Sequence, residues 1–274
     1  MLLRQDKRGG AQGSAVNSKE LSVSIKSKVF AAAAALTVLG GVSAGLAPAT
    51  WAATPSCGPD CINVFSKNFG TYHNPQFVLD VQQQAQKAGQ PIILFRQSNS
   101  DPAEDFTVSF QGMVSDFYAA GLVSATLNLH YGNGSLAGYD HAAFEEEYAP
   151  YGVDSGLCVG VASTAVANEK VTLQPCGVTA DTVWVVDFLD SCPTTNPLYF
   201  GEAPVINGSD TNFSHPFVLT YPAAGYPTDS PRPQLFVTNL NGFSQSGNSI
   251  PCGSGSVVGP NSNQLWGAKA GVLP

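Results

Sequence analysis

The sequence predicts an all-β domain behind a cleavable leader, and three observations carry that expectation. Beyond residue 52 the 274-residue chain breaks into short runs rich in Val, Ile, Leu and aromatic residues. Gly, Pro, Asn and Asp bound these runs, which is the pattern of strands and turns. No stretch holds an apolar helical period over three turns. A layout of opening strand, partner strand and closing aromatic recurs three times.

The leader comes first. Arg4, Lys7, Arg8, Lys19, Lys26 and Lys28 precede the uncharged apolar run 29–45, and small residues follow in Ala47-Pro48-Ala49 and Trp51-Ala52. A basic region, an apolar region and a small-residue exit describe a secretory signal peptide, here residues 1–52, cut after Ala49 or Ala52. The rival is a membrane anchor, but an apolar run of about 17 residues sits at the lower limit for a span. Val23 to Lys28 would serve as a basic region alone, with Val23 as an alternative start. Residues 53–274 are then one secreted domain that leaves the membrane after cleavage.

Only 12% of residues are charged, against about 25% in ordinary soluble domains, so the surface is unlike that of a charge-rich cytosolic enzyme. Cleavage leaves six basic against eighteen acidic residues. Nucleic-acid binding requires a basic patch, and six scattered cations do not form one. All six cysteines follow the leader, which in an exported chain implies disulfides. Six cysteines allow 15 pairings. Cys57 and Cys61 can close a small turn, Cys158 and Cys176 flank a hairpin-sized unit, and Cys192 and Cys252 remain. No paired CxxC elements and no His beside a Cys favour zinc, so neither metal nor cofactor is expected.

The three units follow in order. The first opens at Phe77–Val81, continues through Pro91–Phe95 and closes at Phe106. The second opens at Leu157–Val161, continues through Lys170–Cys176 and closes at Trp184. The third opens at Phe217–Tyr221, continues through Pro233–Phe236 and closes at Trp266. Opener and closing aromatic lie 29, 27 and 49 residues apart, the third unit carrying a Gly/Ser/Asn-rich excess from Asn241 to Ser262. One unit cannot bury its own apolar face; three around a pseudo-axis can, and closing the barrel removes exposed sheet edges. Approximate unit bounds are 62–130, 150–200 and 210–274. At the end of the first unit, Leu122 to Leu129 alternates and reads as a strand that completes it as the fourth.

These residues resemble the ricin-type lectin β-trefoil, whose units read roughly C-L-D-V, L-W-x-C and N-Q-x-W. Leu157-Cys158-Val159, Leu173-Gln174-Pro175-Cys176 and Trp184 fit that frame, as does Asn263-Gln264-Leu265-Trp266. The resemblance implies three divergent repeats with inserted loops and a Cys158–Cys176 bridge. Stretches such as PIILFRQSNSDPAEDFTVSFQG also resemble a group of exported actinobacterial proteins, a likeness that brings no function with it.

In the lectin family a sugar is held by an Asp of the first strand, an aromatic near the second, and the Asn-Gln before the closing Trp. Carried over residue by residue, the first unit keeps Asp80 and offers Phe95, Asn99 and Glu104, with Ala103-Glu104 where Asn-Gln would stand. The second has Gly160 for the Asp, Gln174 for the aromatic and Asp181 near the Asn. The third has Phe236, Asn263 and Gln264, with Thr220 for the Asp. No unit is complete, and the first is the best candidate. The bland alternatives are that Phe95 and Phe236 are packing residues and that Asp80, Asn263 and Gln264 order turns.

No catalytic motif stands out. Glycoside hydrolysis needs two carboxylates about 5 Å or 6.5–9.5 Å apart. The linker acids Glu145, Glu146 and Glu147, beside Asp140 and His141, read instead as a solvated run. HExxH, GxSxG and P-loop signatures are missing from the mature chain. The expectation is a secreted, non-catalytic binding module for extracellular carbohydrate. A protein-interaction factor or protease inhibitor presenting the 241–262 loop is the alternative, and a glycan hydrolase using the linker acids the second.

Overall fold

The computed structural model describes residues 57, 61–71, 74–75, 77–98, 100–133, 140–187, 200–222, 232, 234–241 and 262–270. The β-branched and aromatic runs form strands, as their pleat-filling shapes favour. In chain order they are β1 (Ile62–Ser66), β2 (Gly70–Thr71), β3 (Asn74–Pro75), β4 (Phe77–Val81), β5 (Ile92–Arg96) and β6 (Phe106–Met113). Two short helices follow, α1 (Val114–Ala119) and α2 (Ala125–Tyr131). Then come β7 (Ala142–Tyr148), β8 (Leu157–Val161), β9 (Glu169–Pro175), β10 (Trp184–Val186), β11 (Phe200–Ala203) and β12 (Val205–Asn207). The last are β13 (Phe217–Thr220), β14 (Phe236–Asn239) and β15 (Trp266–Ala270).

All strands but β2 and β3 belong to one sheet, and this sheet curls on itself. The path β10-β12-β13-β14-β9-β8-β7 closes because β7 also pairs with β10. The result is an all-β, barrel-like core. Three hairpins, β4–β5, β8–β9 and β13–β14, are joined through their second strands and the residues leading into them. The amide of Leu235 donates to Ile92 O at 2.9 Å, that of Val171 to Leu235 O at 3.0 Å, and that of Leu173 to Gln90 O at 2.9 Å. Each hairpin thus satisfies backbone groups that the others leave open.

Phe106, Trp184 and Trp266 are at most 1% exposed and share one apolar cluster with Leu79, Val159 and Leu219. Phe77 is buried in the same cluster, while Leu157 and Phe217 pack against it partly exposed. A single 3-10 turn precedes each closing aromatic: Pro102–Glu104, Ala180–Thr182 and Ser262–Gln264. The Trp184 indole N–H donates to Val159 O at 2.9 Å and the Trp266 indole to Leu219 O at 2.8 Å. Both acceptors are the third residue of an opening strand, so closing aromatic and opener are tied in the same way twice.

Two disulfides are formed, Cys57–Cys61 and Cys158–Cys176, with Cα separations of 5.8 and 5.0 Å. The second staples β8 to the end of β9, as the family resemblance implied. Cys192 and Cys252 lie outside the described residues, as does most of the 241–262 loop.

Two expectations are corrected. Leu122 to Leu129 is not a strand: from Ala125 it belongs to α2. The Ser124 hydroxyl caps that helix by accepting from the Leu127 amide at 3.0 Å, and Leu127 and Tyr131, one turn apart, bury into a second apolar cluster with Phe117 and Val123. Helical period overrides the local alternation and leaves Leu129 55% exposed.

The second correction concerns the Glu run. Glu145, Glu146 and Glu147 lie on β7, flanked by β6 and β8, and are 1%, 1% and 7% exposed. Glu145 accepts from the Gly177 amide at 3.0 Å and from the Thr182 hydroxyl; Glu147 accepts from the Gly156 amide at 2.6 Å. The donors to Glu145 lie 32 and 37 residues further along the chain and the donor to Glu147 lies 9 residues on, which composition does not reveal. Asn207 is fully buried and donates to Asp181 O at 2.9 Å. Among the described residues no helix is long and apolar enough to cross a membrane.

Candidate functional site

The pairing of β4 with β5 sets Val78 opposite Phe95 and Asp80 opposite Ile93. Side chains of one face alternate along each strand, so Asp80 and Phe95 are diagonal neighbours on one side of the hairpin. Both line a cavity of about 280 Å³ together with Gln83, Gln84, Asp101 and Ala103. Asn99 lies outside the described residues.

The rim is held by local bonds. Asp101 caps the 3-10 turn Pro102–Glu104, its Oδ1 accepting from the Ala103 amide at 3.0 Å and from Gln84 Nε2 at 2.9 Å. Glu104 turns its carboxyl back onto the Ser98 amide, at 3.0 and 2.8 Å from its two oxygens. Gln83 and Gln84 have φ values of 62° and 56°, a left-handed backbone costing non-glycine residues of order 1–3 kcal/mol. Both residues line the cavity.

One carboxylate oxygen from each of Asp80, Asp101 and Glu104 lies within 4.8 Å of the others. Asp80 is 4% exposed and accepts no hydrogen bond from the described residues. Burial, reinforced by the charge of Asp101, pushes its carboxyl up to about 7. Burial also pushes Glu104 up to about 8; the Ser98 amide opposes this, and Asp80, Asp101 and Asp105 add to it. Beside them, Arg232 lies over the Phe95 ring at 5.1 Å and over Phe77 at 5.6 Å, leaving Phe95 half-buried.

The corresponding places in the other hairpins are filled differently. The fourth residue of each opening strand faces the last residue of the 3-10 turn. In the third hairpin this pair is Thr220 and Gln264, both nearly fully buried, with Gln264 Nε2 donating to Thr220 Oγ1 at 3.3 Å and to Asn239 O at 2.9 Å. Gln264 Oε1 accepts from the Asn241 amide at 2.9 Å, so both ends of this amide are engaged inside the protein. Asn263 is half-buried and donates to Tyr221 O at 2.9 Å. Phe236 stays half-buried under Lys170, whose Nζ is 5.3 Å from the ring centre.

In the second hairpin the pair is Gly160 and Thr182. A Cβ on Gly160 would stand 2.7 Å from Asp181 O and 2.9 Å from Thr182 Cγ2, so no Asp fits. The structure therefore brings Asp80, Phe95 and Glu104 together, and does not bring Phe236, Asn263 or Gln264 to the same cavity. Asp101 was not singled out from sequence. Its signal was present in Ser100-Asp101-Pro102-Ala103-Glu104, an N-cap followed by Pro at the first position of the turn.

Of the linker residues offered for hydrolysis, His141 and the three glutamates are buried, while Asp140 is half-buried and accepts from the Ser115 amide at 3.3 Å and from its hydroxyl. His141 is fully buried, its Nδ1 2.9 Å from Tyr131 O and its Nε2 3.6 Å from Asp187 Oδ1. Burial, with the charges of Asp187 and Asp210, holds the Tyr131 hydroxyl well above its usual range. His141 and Asp187 are thus an interior polar pair.

No known protein family and no curated protein matches this chain. Among solved structures it is similar to the designed three-fold symmetric protein ThreeFoil, at 11% identity and a TM-score of 0.42, over 76% of this chain and 97% of that one. It is similar to the Rhizoctonia solani agglutinin at 14% identity and 0.40, over 77% and 96%. It is also similar to the Macrolepiota procera ricin B-like lectin, solved with lactose, at 12% and 0.38, over 78% and 96%. Likenesses of this extent assign no activity, and nothing in them supports the resemblance to exported actinobacterial proteins.

Proposed function

We propose that this chain is an exported, non-catalytic carbohydrate-binding module, built as a β-trefoil of three divergent units within residues 53–274. Three mutually bonded hairpins, and closing tryptophans tied identically to their opening strands, support the trefoil reading. Two disulfides support an oxidising compartment.

The observation that carries the binding reading is the cavity of the first hairpin. It sets the half-buried ring of Phe95 beside the carboxylates of Asp80 and Asp101 and the amides of Gln83 and Gln84. An aromatic surface packs on the apolar C–H patches of a sugar ring, while carboxylates and amides exchange hydrogen bonds with its hydroxyls. The second and third hairpins fill the equivalent place with their own side chains, so a single site is expected rather than three. The test is a glycan array probed with the purified mature chain. Binding that disappears in Asp80→Ala and Phe95→Ala, with the thermal midpoint retained, supports the reading. An empty array, or binding indifferent to both changes, refutes it.

A further inference from the structure

We propose that Asp80, Asp101 and Glu104 form a binding site for a divalent, oxygen-coordinated cation, with Ca²⁺ as the ion that fits. The reasoning starts from what the fold demands at this place. The fourth residue of an opening strand must face the end of a 3-10 turn. The other two hairpins meet the demand with neutral partners, Thr220 with Gln264 through a hydrogen bond and Gly160 with Thr182 through close packing. In the first hairpin two acids, Asp80 and Glu104, take these positions, and Asp101 adds a third.

Three carboxylates so close repel one another, and no Lys or Arg among the described residues pairs with them. Asp80 is the telling member. It is 96% removed from solvent, faces the cavity, and receives no hydrogen bond from the described residues. A buried carboxylate left in this way is costly unless a cation or other partner compensates it. Asp101 spends Oδ1 on the Ala103 amide and Gln84, which leaves Oδ2 for a ligand. Glu104 is oriented by Ser98 while each oxygen keeps a lone pair.

The chemistry of the set selects the ion. All donors are hard carboxylate oxygens, which suit Ca²⁺ or Mg²⁺ rather than metals preferring nitrogen or sulfur. The ligands come from a strand, a capping residue and a turn, an irregular set. Ca²⁺ accepts such geometry with 6–8 oxygens, whereas Mg²⁺ demands a near-ideal octahedron. The cavity has room for waters to complete the shell. The spacing of the three acids along the chain carries no metal motif, because only the register of β4 on β5 and the turn at Pro102 bring them together. The cation would share Asp80, Asp101 and the cavity with the sugar reading, but the two readings fail separately, since metal uptake is measured on the protein alone.

The experiment is calorimetric titration of the chelator-treated mature chain with CaCl₂, and with MgCl₂ for comparison, alongside thermal melts. Expected is one saturable Ca²⁺ site per chain with Kd of roughly 10⁻⁴–10⁻³ M, the range of extracellular modules, and weaker Mg²⁺ uptake. At 100 times Kd the unfolding equilibrium constant falls about a hundredfold. Asp80→Asn abolishes uptake. Asp101→Asn weakens it at least about tenfold and keeps an oxygen to cap the turn, so it remains informative if the Asp80 variant does not fold. Asp154→Asn, an exposed acid elsewhere, leaves uptake unchanged. No saturable uptake up to about 10 mM Ca²⁺, or an unaltered Kd in Asp101→Asn, overturns the proposal.

Discussion

Replacing Trp184 by Phe isolates what the indole nitrogen contributes. Trp184 is 1% exposed inside the main apolar cluster, and its N–H donates to Val159 O at 2.9 Å. Phe keeps most of the ring packing but leaves a buried carbonyl without this donor. An unsatisfied buried acceptor costs about 1–3 kcal/mol. The lost ring edge, comparable to one methylene-sized group, costs about 1 kcal/mol more. The sum is about 2–4 kcal/mol, against about 3–5 kcal/mol for Trp184→Ala. For a chain of this size it lowers the thermal midpoint by roughly 4–16 °C. Trp266→Phe should behave alike, because its bond to Leu219 O is 2.8 Å and its exposure 0%. The assay is urea unfolding of the mature chain followed by far-UV circular dichroism, which does not depend on the tryptophan being removed. A cost below about 0.5 kcal/mol for both Phe variants would refute the claim that these bonds tie opener to closer.

Three further outcomes are expected. Removing the Cys158–Cys176 bridge by a double Ala substitution, which reopens a loop of sequence separation 18, should cost about 3 kcal/mol; peptide mapping without reductant checks the pairing, and free thiols at both positions would contradict it. Glu146 has an oxygen with no partner among the described residues, and burial pushes its carboxyl from 4.5 up to about 8. The folded chain thus holds a proton that the unfolded chain releases above about pH 4.5, so this stabilisation is complete below that pH and is lost as pH rises towards 8. Asp210, pushed by burial up to about 6, acts in the same direction. Unfolding free energies from urea titrations should fall from pH 5 to 8, at roughly 1 kcal/mol per pH unit from Glu146 alone, and Glu146→Gln should flatten the slope; an unchanged slope would count against a neutral buried Glu146. Gly267→Ala should cost about 1–3 kcal/mol by overpacking, because the new Cβ would stand 2.4 Å from the Phe65 ring; a thermal melt indistinguishable from that of the parent chain would show that Phe65 yields freely.

Local pattern determined a good part of this protein. The opening strands at Phe77, Leu157 and Phe217, the buried closers Phe106, Trp184 and Trp266, and the placing of Asp80 and Phe95 on one hairpin were legible from residue type and spacing. Strand period and turn chemistry are properties of a few adjacent residues. Tertiary structure decided the rest. A run of three glutamates reads as solvated by composition, yet β7 has strands on both sides, and the amides of Gly156 and Gly177 and the hydroxyl of Thr182 reach it from elsewhere in the chain. Leu122 to Leu129 alternates like a strand, but the Ser124 cap and the burial of Leu127 and Tyr131 on one face make it helical from Ala125. The meeting of Asp101 with Asp80 depends on the register of β4 on β5 and on the turn at Pro102. Spacing along a chain sets which way a side chain faces; only the pairing of distant strands sets which charges must share one buried space.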